Sequence, residues 1–212
     1  MKSAELVDYY RRRAGEYEAI YAKPERQADL AFLRTAVLRG LDGARVLEIA
    51  CGTGYWTEVI ARRAASVTAT DLAEEPMQIA RSKVYERGNV VFREADAYVL
   101  PNALGRFDAA FAGFWWSHVP RERIAEFVRS LHARLEPGAR VLLLDNRYVE
   151  GNSTPLVSTD AAGNTYQDRR LADGSVTRIV KNFPTGDELQ RCVKPNLAYQ
   201  ELEYYWLAEY RR

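Results

Sequence analysis

The sequence predicts an α/β fold with a doubly wound, mostly parallel seven-stranded sheet and helices on both faces. From residue 45 onward, short apolar runs alternate with segments of helical periodicity, and the first run ends in a glycine-rich turn. The length of 212 residues suits one sizeable core. We therefore predict a single domain over residues 1–212. Its predicted parts are an N-terminal helical cap (1–42), a core (45–145), an insertion (146–184) and a closing helix with strands (185–212).

Composition disfavours several classes of partner. Lys and Arg total 30 against 29 Asp and Glu, a formal charge of +1, so no net field attracts nucleic acid or an anionic membrane. No segment reaches the ~18 uncharged apolar residues that span a bilayer, and the N-terminus lacks a signal-peptide pattern. Cys51 and Cys192 are too few for a disulfide framework or a zinc cluster, so no metal site is predicted. We expect a cytoplasmic protein.

Two helices are predicted before the first strand, at 3–21 and 26–39. The second helix carries one apolar stripe, formed by Leu30, Leu33, Val37 and Leu41.

Five strands are predicted in the core, at 45–50, 66–70, 90–94, 107–114 and 139–144. The fourth run is too apolar to be exposed on either face, as is typical of a central parallel strand. Helices are predicted at 55–65, from Glu74 to a stop at Gly88-Asn89, and from Pro120 to Pro137-Gly138. Asp145 follows the fifth strand.

The insertion at 146–184 differs in character, because polar and turn residues dominate it. Two strand-like runs, 164–171 and 175–183, flank Asp173-Gly174 and predict a β-hairpin. Connections of this kind usually have ~2–6 residues, and longer ones often shape a binding site. A homodimer contact through the hairpin explains the length equally well. A helix at 185–192 and strands at 197–204 and 206–211 are predicted to complete the sheet.

The turn after the first strand contains Gly52-Thr53-Gly54. Such a loop brings bare backbone N–H groups and the positive end of a helix toward a ligand, although alone it also fits a tight turn. Asp71 lies nineteen residues after Gly52, at the end of the second strand, where a carboxylate can accept hydrogen bonds from two ribose hydroxyls. Asp96 follows the third strand. Open α/β sheets bind ligands along this edge.

Three segments, VLEIACGTGYWT, TATDLAEEPMQIAR and VVFREADAYVLP, resemble successive motifs of the class I, seven-stranded S-adenosylmethionine-dependent methyltransferases. The resemblance spans residues 45–145 and implies that these hold S-adenosylmethionine (SAM), with S-adenosylhomocysteine (SAH) as the product. It places the loop against the methionine part of the cofactor, Glu48 near its ammonium group and Asp71 at its ribose. The remaining implied contacts are Ala50, Cys51, Gly52, Thr53 and Gly54 in the loop, Leu72 and Met77 flanking the adenine, Asp96 and Ala97 at its amino edge, and Tyr10 in a lid.

The main competitor on this fold is a nicotinamide or flavin enzyme. Its G-x-G-x-x-G/A fingerprint requires a small third residue, and Thr57 stands at that position. Glu48, two residues before the loop, would repel a pyrophosphate and stabilise an ammonium or a sulfonium. The charges therefore favour the methyltransferase.

The segment after the fourth strand is predicted to face the methyl acceptor. His118 is the candidate catalytic base, which an acceptor hydroxyl would need; the alternative is a histidine that fixes this loop. Trp115 and Trp116 are predicted to bind the acceptor by stacking, with core packing as the alternative. Three residues that leave the fifth strand are also predicted to line the acceptor pocket, namely Asn146, Arg147 and Tyr148.

Two missing motifs bear on the acceptor. Methyltransferases that modify exocyclic amines of bases carry Asn or Asp before Pro-Pro and an aromatic residue, and cytosine C5 enzymes carry a Pro-Cys nucleophile; this sequence has neither. We therefore predict transfer to oxygen or nitrogen of a small molecule, and nucleic acid is disfavoured. A protein or RNA acceptor, or a binding module without turnover, remain the alternatives.

Overall fold

The computed structural model describes residues 14–171, 173–193 and 196–212, and side chains from residue 18 onward. Tyr10 and most of the predicted helix at 3–21 lie outside this part of the chain. The described end of that predicted helix, Ala14–Ala22, is a 3-10 helix. This segment is held against the core by contacts of Glu18 and Tyr21.

The core alternates strands and helices as predicted. Its elements are α1 (Gln27–Gly40), β1 (Arg45–Ile49), α2 (Tyr55–Ala61), β2 (Ser66–Asp71), α3 (Glu74–Ser82), β3 (Val90–Glu94), β4 (Phe107–Gly113), α4 (Ile124–Ala133) and β5 (Leu135–Asn146). The elements that follow are β6 (Ser158–Thr159), β7 (Thr165–Arg170), β8 (Val176–Val180), α5 (Gly186–Cys192), β9 (Ala198–Glu201) and β10 (Tyr205–Arg211).

Seven strands form the main sheet in the order β3-β2-β1-β4-β5-β10-β9. The first five pair in parallel, and β10 runs antiparallel to both β5 and β9. The chain order reverses between β1 and β4, which is where sheets of this kind open a crevice for ligands. This topology confirms the predicted fold class.

Two apolar layers cover the sheet. On one face, the stripe of α1 is buried together with Ala109 and Phe111 of β4. On the other, Ala110 and Ala112 pack in the layer that contains Phe127 of α4. Because alternate residues of β4 enter both layers, the strand is buried on both sides, as its continuous apolar run predicts.

Several predicted boundaries are wrong, among them the end of α2, at Ala61 instead of 65, and the end of β9, at Glu201 instead of 204. Helix α3 ends at Ser82, six residues before Gly88, and Val84, inside the predicted helix, is 84% exposed. Strand β5 begins at Leu135, so Pro137-Gly138 lies inside it rather than before it. A bulge absorbs these residues: Leu135 pairs with Phe107, and Arg140 pairs with Ala109.

The insertion contains the predicted hairpin, β7 paired antiparallel with β8, and β6 adds a third strand to this small sheet. Asn182 fastens it to the segment after β4, since its backbone N–H donates to the Ser117 carbonyl (2.7 Å) and its side-chain amide to that of Val119 (3.1 Å). The insertion therefore folds back over the carboxyl edge of the sheet. Its use in a homodimer stays a prediction. Within the described ranges, every helix is too short or too polar to cross a bilayer.

Candidate active site

The loop after β1 has backbone conformations that glycine adopts more easily than any residue with a Cβ. Gly52 and Gly54 have φ of 54° and 81°. At Gly54, a Cβ would lie 2.8 Å from the Cβ of Ala80, so α3 approaches too closely for any side chain. At Gly52, a Cβ would meet no described atom within 4 Å. This side of the loop therefore has room for a ligand.

Asp71 ties the ends of β1 and β2 together. Its carboxylate accepts hydrogen bonds from the backbone N–H groups of Gly52 and Ala73, each at 2.9 Å. Burial raises the pKa of Asp71, against the lowering effect of these two amides. The residue predicted to hold a ribose thus stands beside the glycine loop.

Glu48 lies beneath the same loop and is 1% exposed. One carboxylate oxygen, Oε2, is buried without a hydrogen-bond partner in the described chain. Burial raises its pKa to about 8. An ionised carboxylate at this depth requires a compensating positive charge, and an ammonium group of a ligand fits that requirement.

The predicted adenine contacts lie at the next strand ends. Leu72 is 37% exposed, whereas Met77 is fully buried in the apolar layer beneath the loop. Asp96 follows β3, and its Oδ1 accepts a hydrogen bond from the N–H of Tyr98 (2.9 Å). Ala97 is buried beside it. The fold brings these residues to the edge that carries Asp71, and their roles toward adenine stay predictions.

The N-terminal segment closes over the glycine loop. Glu18 accepts hydrogen bonds from the Thr53 hydroxyl (2.8 Å) and from the Lys83 ammonium (2.6 Å), and Lys83 also pairs with Glu58 (2.8 Å). Tyr21 stacks on Tyr55 with ring centroids 3.7 Å apart. Sequence reasoning missed Glu18 and Lys83. The prediction continued α3 past residue 83, whereas the helix ends at Ser82 and Lys83 bonds Glu18 and Glu58.

A cavity of about 280 Å³ opens at the carboxyl ends of β4 and β5. Phe114 lines it and follows β4, whose Ala112 pairs with Ile49 of β1, so the cavity adjoins the glycine loop. Its walls come from the N-terminal segment, the segment after β4 and the insertion. The lining residues are Ile20, Lys23, Arg26, Phe114, His118, Asn146, Asn152, Ser153, Thr154, Gln167, Arg169, Ile179, Lys181 and Phe183.

His118 lines this cavity and is 4% exposed. Its Nδ1 lies 2.9 Å from the carbonyl oxygen of Val180 in β8. Because a carbonyl only accepts, Nδ1 carries a hydrogen, and the lone pair of the neutral ring is on Nε2. The insertion thus fixes the tautomer that a base at Nε2 requires.

A buried polar network supports the cavity floor. Asp145 accepts hydrogen bonds from the Ser117 N–H (2.9 Å) and hydroxyl (3.0 Å). The Lys181 ammonium lies 2.6 Å from the Ser117 hydroxyl and 3.3 Å from Asp145. Burial lowers the pKa of Lys181, against the raising effect of Asp145. Lys181 was absent from the sequence prediction, because nothing in a polar insertion distinguishes a buried lysine from an exposed one.

Among the five predicted acceptor residues, only Asn146 lines the cavity. Arg147 turns toward the closing strands, where it bonds the carbonyls of Leu202 and Glu203 and pairs with Glu201. Tyr148 packs edge-on against Phe183, with centroids 5.4 Å apart. Trp115 and Trp116 both pack against Phe127, and neither lines the cavity.

The fold and the site together define a class of protein. A parallel sheet of this order, an open glycine loop, an aspartate at the end of β2 and a buried glutamate without a cation are the features of a class I SAM-dependent methyltransferase. The residues fit the cofactor, because Glu48 has an oxygen available for an ammonium group and Gly52 leaves room beside it.

Comparison with known proteins identifies the family. Residues 46–138 match the methyltransferase domain family. The structure of DhpI in complex with SAM and HEP superposes with a TM-score of 0.80 at 30% identity, covering 99% of this chain and 96% of that one. The complex of DhpI with SAH gives a TM-score of 0.79 at 30% identity, covering 99% and 95%. The chain belongs to the SAM-dependent methyltransferases.

Curated relatives match over a shorter span. The chain is 37% identical over 106 residues to the ubiquinone biosynthesis O-methyltransferase of Pseudomonas aeruginosa, covering 49% of this chain and 45% of that protein. It is 37% identical over 123 residues to the demethylmenaquinone methyltransferase of Thermus thermophilus, covering 56% and 55%. The chain thus spans about half the length of these relatives.

Replacing Asp71 with alanine is expected to weaken SAH binding at least tenfold. The change removes the predicted ribose acceptor and the two amide hydrogen bonds that hold the loop, and hydrogen bonds to a charged group contribute about 1.5–3 kcal/mol each. Calorimetric titration with SAH measures the effect. Asp108→Ala is the matched control, because that carboxylate also accepts a backbone N–H, from Arg45, but at the opposite edge of the sheet (2.7 Å). Equal affinity in wild type and Asp71→Ala would contradict the assignment.

Proposed function

We propose that this methyltransferase acts on a hydroxyl oxygen of a small polar molecule held in the cavity beside the glycine loop. The observation that carries the proposal is the position of His118, which lines this cavity with Nδ1 fixed against Val180. Transfer to oxygen benefits from a base, because a neutral hydroxyl is a weak nucleophile until its proton is removed.

The chain contributes alignment, exclusion of water and proton transfer. Bound SAM supplies an activated methyl group on a sulfonium with a good leaving group. The cavity walls hold the acceptor in line with it, which reduces the entropic cost of bringing two reactants together. Nε2 of His118 accepts the hydroxyl proton. The Val180 carbonyl then accepts a hydrogen bond from the positively charged ring, which favours that state.

The size and lining of the cavity favour a small polar acceptor. About 280 Å³ is near the lower end of small-molecule pockets, which occupy roughly 300–1,000 Å³. Only Phe114 and His118 among the lining residues fall within the matched methyltransferase domain, 46–138. The match to the methyltransferase domain family therefore includes few of the residues that line the cavity. The lysines and arginines in the lining suit a polar acceptor better than an apolar one.

The His118→Gln variant is expected to lower kcat by a factor of about 10²–10⁴, the usual contribution of a positioned base. Its SAH affinity should stay at the wild-type value, because the residue lies on the acceptor side. Turnover is measured with labelled SAM and a broad extract of metabolites, across pH 6 to 9.

The control is His132→Gln. His132 lies on α4, where its imidazole bonds the hydroxyl of Tyr210 on β10 (2.9 Å), and it does not line the cavity. A His118→Gln enzyme with unchanged kcat and an unchanged pH profile would show that His118 only fixes the loop.

A further inference from the structure

The cavity concentrates positive charge in a chain that is almost neutral. Lys23, Arg26, Arg169 and Lys181 line it together with His118, and none of the described lining residues is an aspartate or a glutamate. The whole chain has 30 basic and 29 acidic residues. A random sample of its surface would therefore give equal numbers of both charges.

Neighbouring carboxylates offset only part of this charge. Lys181 lies 3.3 Å from Asp145, so that pair is close to neutral. Lys23 is 4.0 Å from Glu25 at the exposed mouth of the cavity. Arg26, in contrast, forms no ion pair within the described part of the chain, and its Nε is buried without a hydrogen-bond partner there. Arg26 thus leaves positive charge in the cavity.

Neutral groups hold the Arg26 side chain in a fixed orientation. The Arg26 guanidinium lies 5.3 Å and 5.6 Å from the ring centroids of Tyr204 and Tyr205, and it donates to the Asn152 amide oxygen. These contacts restrain the side chain and leave its charge in place.

Arg169 donates to the Thr154 hydroxyl (2.8 Å) and to the Gln167 amide oxygen (2.7 Å). Gln167 is itself buried and donates to the Thr154 backbone carbonyl, so the support is rigid. A preorganised guanidinium loses little entropy when it binds a ligand.

We propose that the acceptor carries an oxyanion, such as a carboxylate or a phosphate-type group, which Arg26 and Arg169 bind inside this cavity. The inference rests on the proposed function, because it names the substrate class of the same site. Guanidinium groups match planar or tetrahedral oxyanions through paired hydrogen bonds. The partly desolvated position strengthens that attraction.

The first test measures binding of inorganic phosphate and of acetate to the SAH-saturated enzyme by calorimetry, at ionic strength held constant with KCl. At least one anion is expected to bind with one-to-one stoichiometry, and the stronger binder identifies the oxyanion class. Arg26→Gln and Arg169→Gln should each weaken it at least tenfold. Arg170→Gln is the matched control, because adjacent strand residues face opposite sides of the small sheet and Arg170 does not line the cavity.

Two results would overturn the proposal in this test. One is anion binding no stronger than that of chloride, or equally weakened by Arg170→Gln. The other is loss of SAH affinity in Arg26→Gln and Arg169→Gln, which would assign the arginines to the carboxylate of the cofactor.

The second test uses labelled SAM and matched pairs of hydroxylated acceptors, each acid beside its neutral amide or ester. The anionic member is expected to be labelled faster, and Arg169→Gln should raise its KM at least tenfold with a smaller change in kcat. Equal labelling of both members would refute the oxyanion and leave the methyl transfer intact. Anion binding that depends on the arginines, with no labelling of any acceptor, would refute the proposed function and retain the anion site.

Discussion

Replacing Asp145 with alanine is expected to lower the free energy of unfolding by about 3–5 kcal/mol, the usual cost of breaking a buried ion pair. The side chains of Asp145 and Lys181 are 0% and 5% exposed. Without the carboxylate, the Lys181 ammonium is left buried, and the Ser117 hydroxyl at 2.6 Å is its remaining hydrogen-bond partner in the described part of the chain. The Ser117 N–H also loses its acceptor. Urea unfolding followed by circular dichroism measures the change.

A double variant separates the charge effect from loss of packing. Asp145→Ala combined with Lys181→Met removes both charges and is expected to recover part of the lost stability, since replacing a whole buried pair is often neutral. The matched control is Asp168→Ala, whose partner Arg178 is 56% exposed, and it should change the urea midpoint far less than Asp145→Ala. A double variant no more stable than Asp145→Ala would show that the charge of Lys181 is not the cause.

Local patterns made most of the fold predictable. The strand runs and the stripe of α1 follow from the spacing of apolar residues over a few turns, and the structure buries them as expected. The wrong start of β5 has a cause that lies outside the local sequence. Pro137-Gly138 ordinarily ends an element, but here a bulge against Phe107 places both residues inside β5. Such a bulge depends on pairing with a distant strand, which local spacing does not reveal.

The two parts of the candidate site also differ in how far local sequence predicts them. The glycine loop, Glu48 and Asp71 come from one short motif and the next strand end, and the fold brings them together. The cavity instead joins the N-terminal segment to an insertion more than 100 residues away. Asn146 lines it while Arg147 does not, because consecutive residues at the end of a strand point in opposite directions.

Glu48→Gln is expected to weaken SAH binding and to remove its pH dependence between pH 6 and 8. Burial raises the pKa of Glu48 to about 8, so the free enzyme holds this carboxyl largely protonated at pH 6 to 7. An ammonium ligand favours the ionised form, and binding therefore releases a proton. Wild-type affinity should rise with pH by up to about tenfold per unit below pH 8 and level off above it.

Calorimetry in two buffers of different ionisation enthalpy measures the released proton directly. Glu94→Gln is the control, since Glu94 is an exposed carboxylate at the end of β3. A wild-type affinity that is constant from pH 6 to 8, or a Glu48→Gln variant that keeps the full pH dependence, would assign the ammonium site elsewhere.

Glu48 also makes the stability of the free enzyme depend on pH. SAH affinity should rise with pH, whereas the free energy of unfolding of the free enzyme should fall. Because the folded state holds the Glu48 proton up to about pH 8 and the unfolded state loses it near 4.5, the free energy of unfolding should fall as pH rises between these values. The slope from one such group is at most about 1.4 kcal/mol per pH unit. Glu48→Gln should remove this slope. Without ligand at pH 8, the variant is therefore expected to unfold at higher urea concentration than wild type, and saturating SAH should reverse that order.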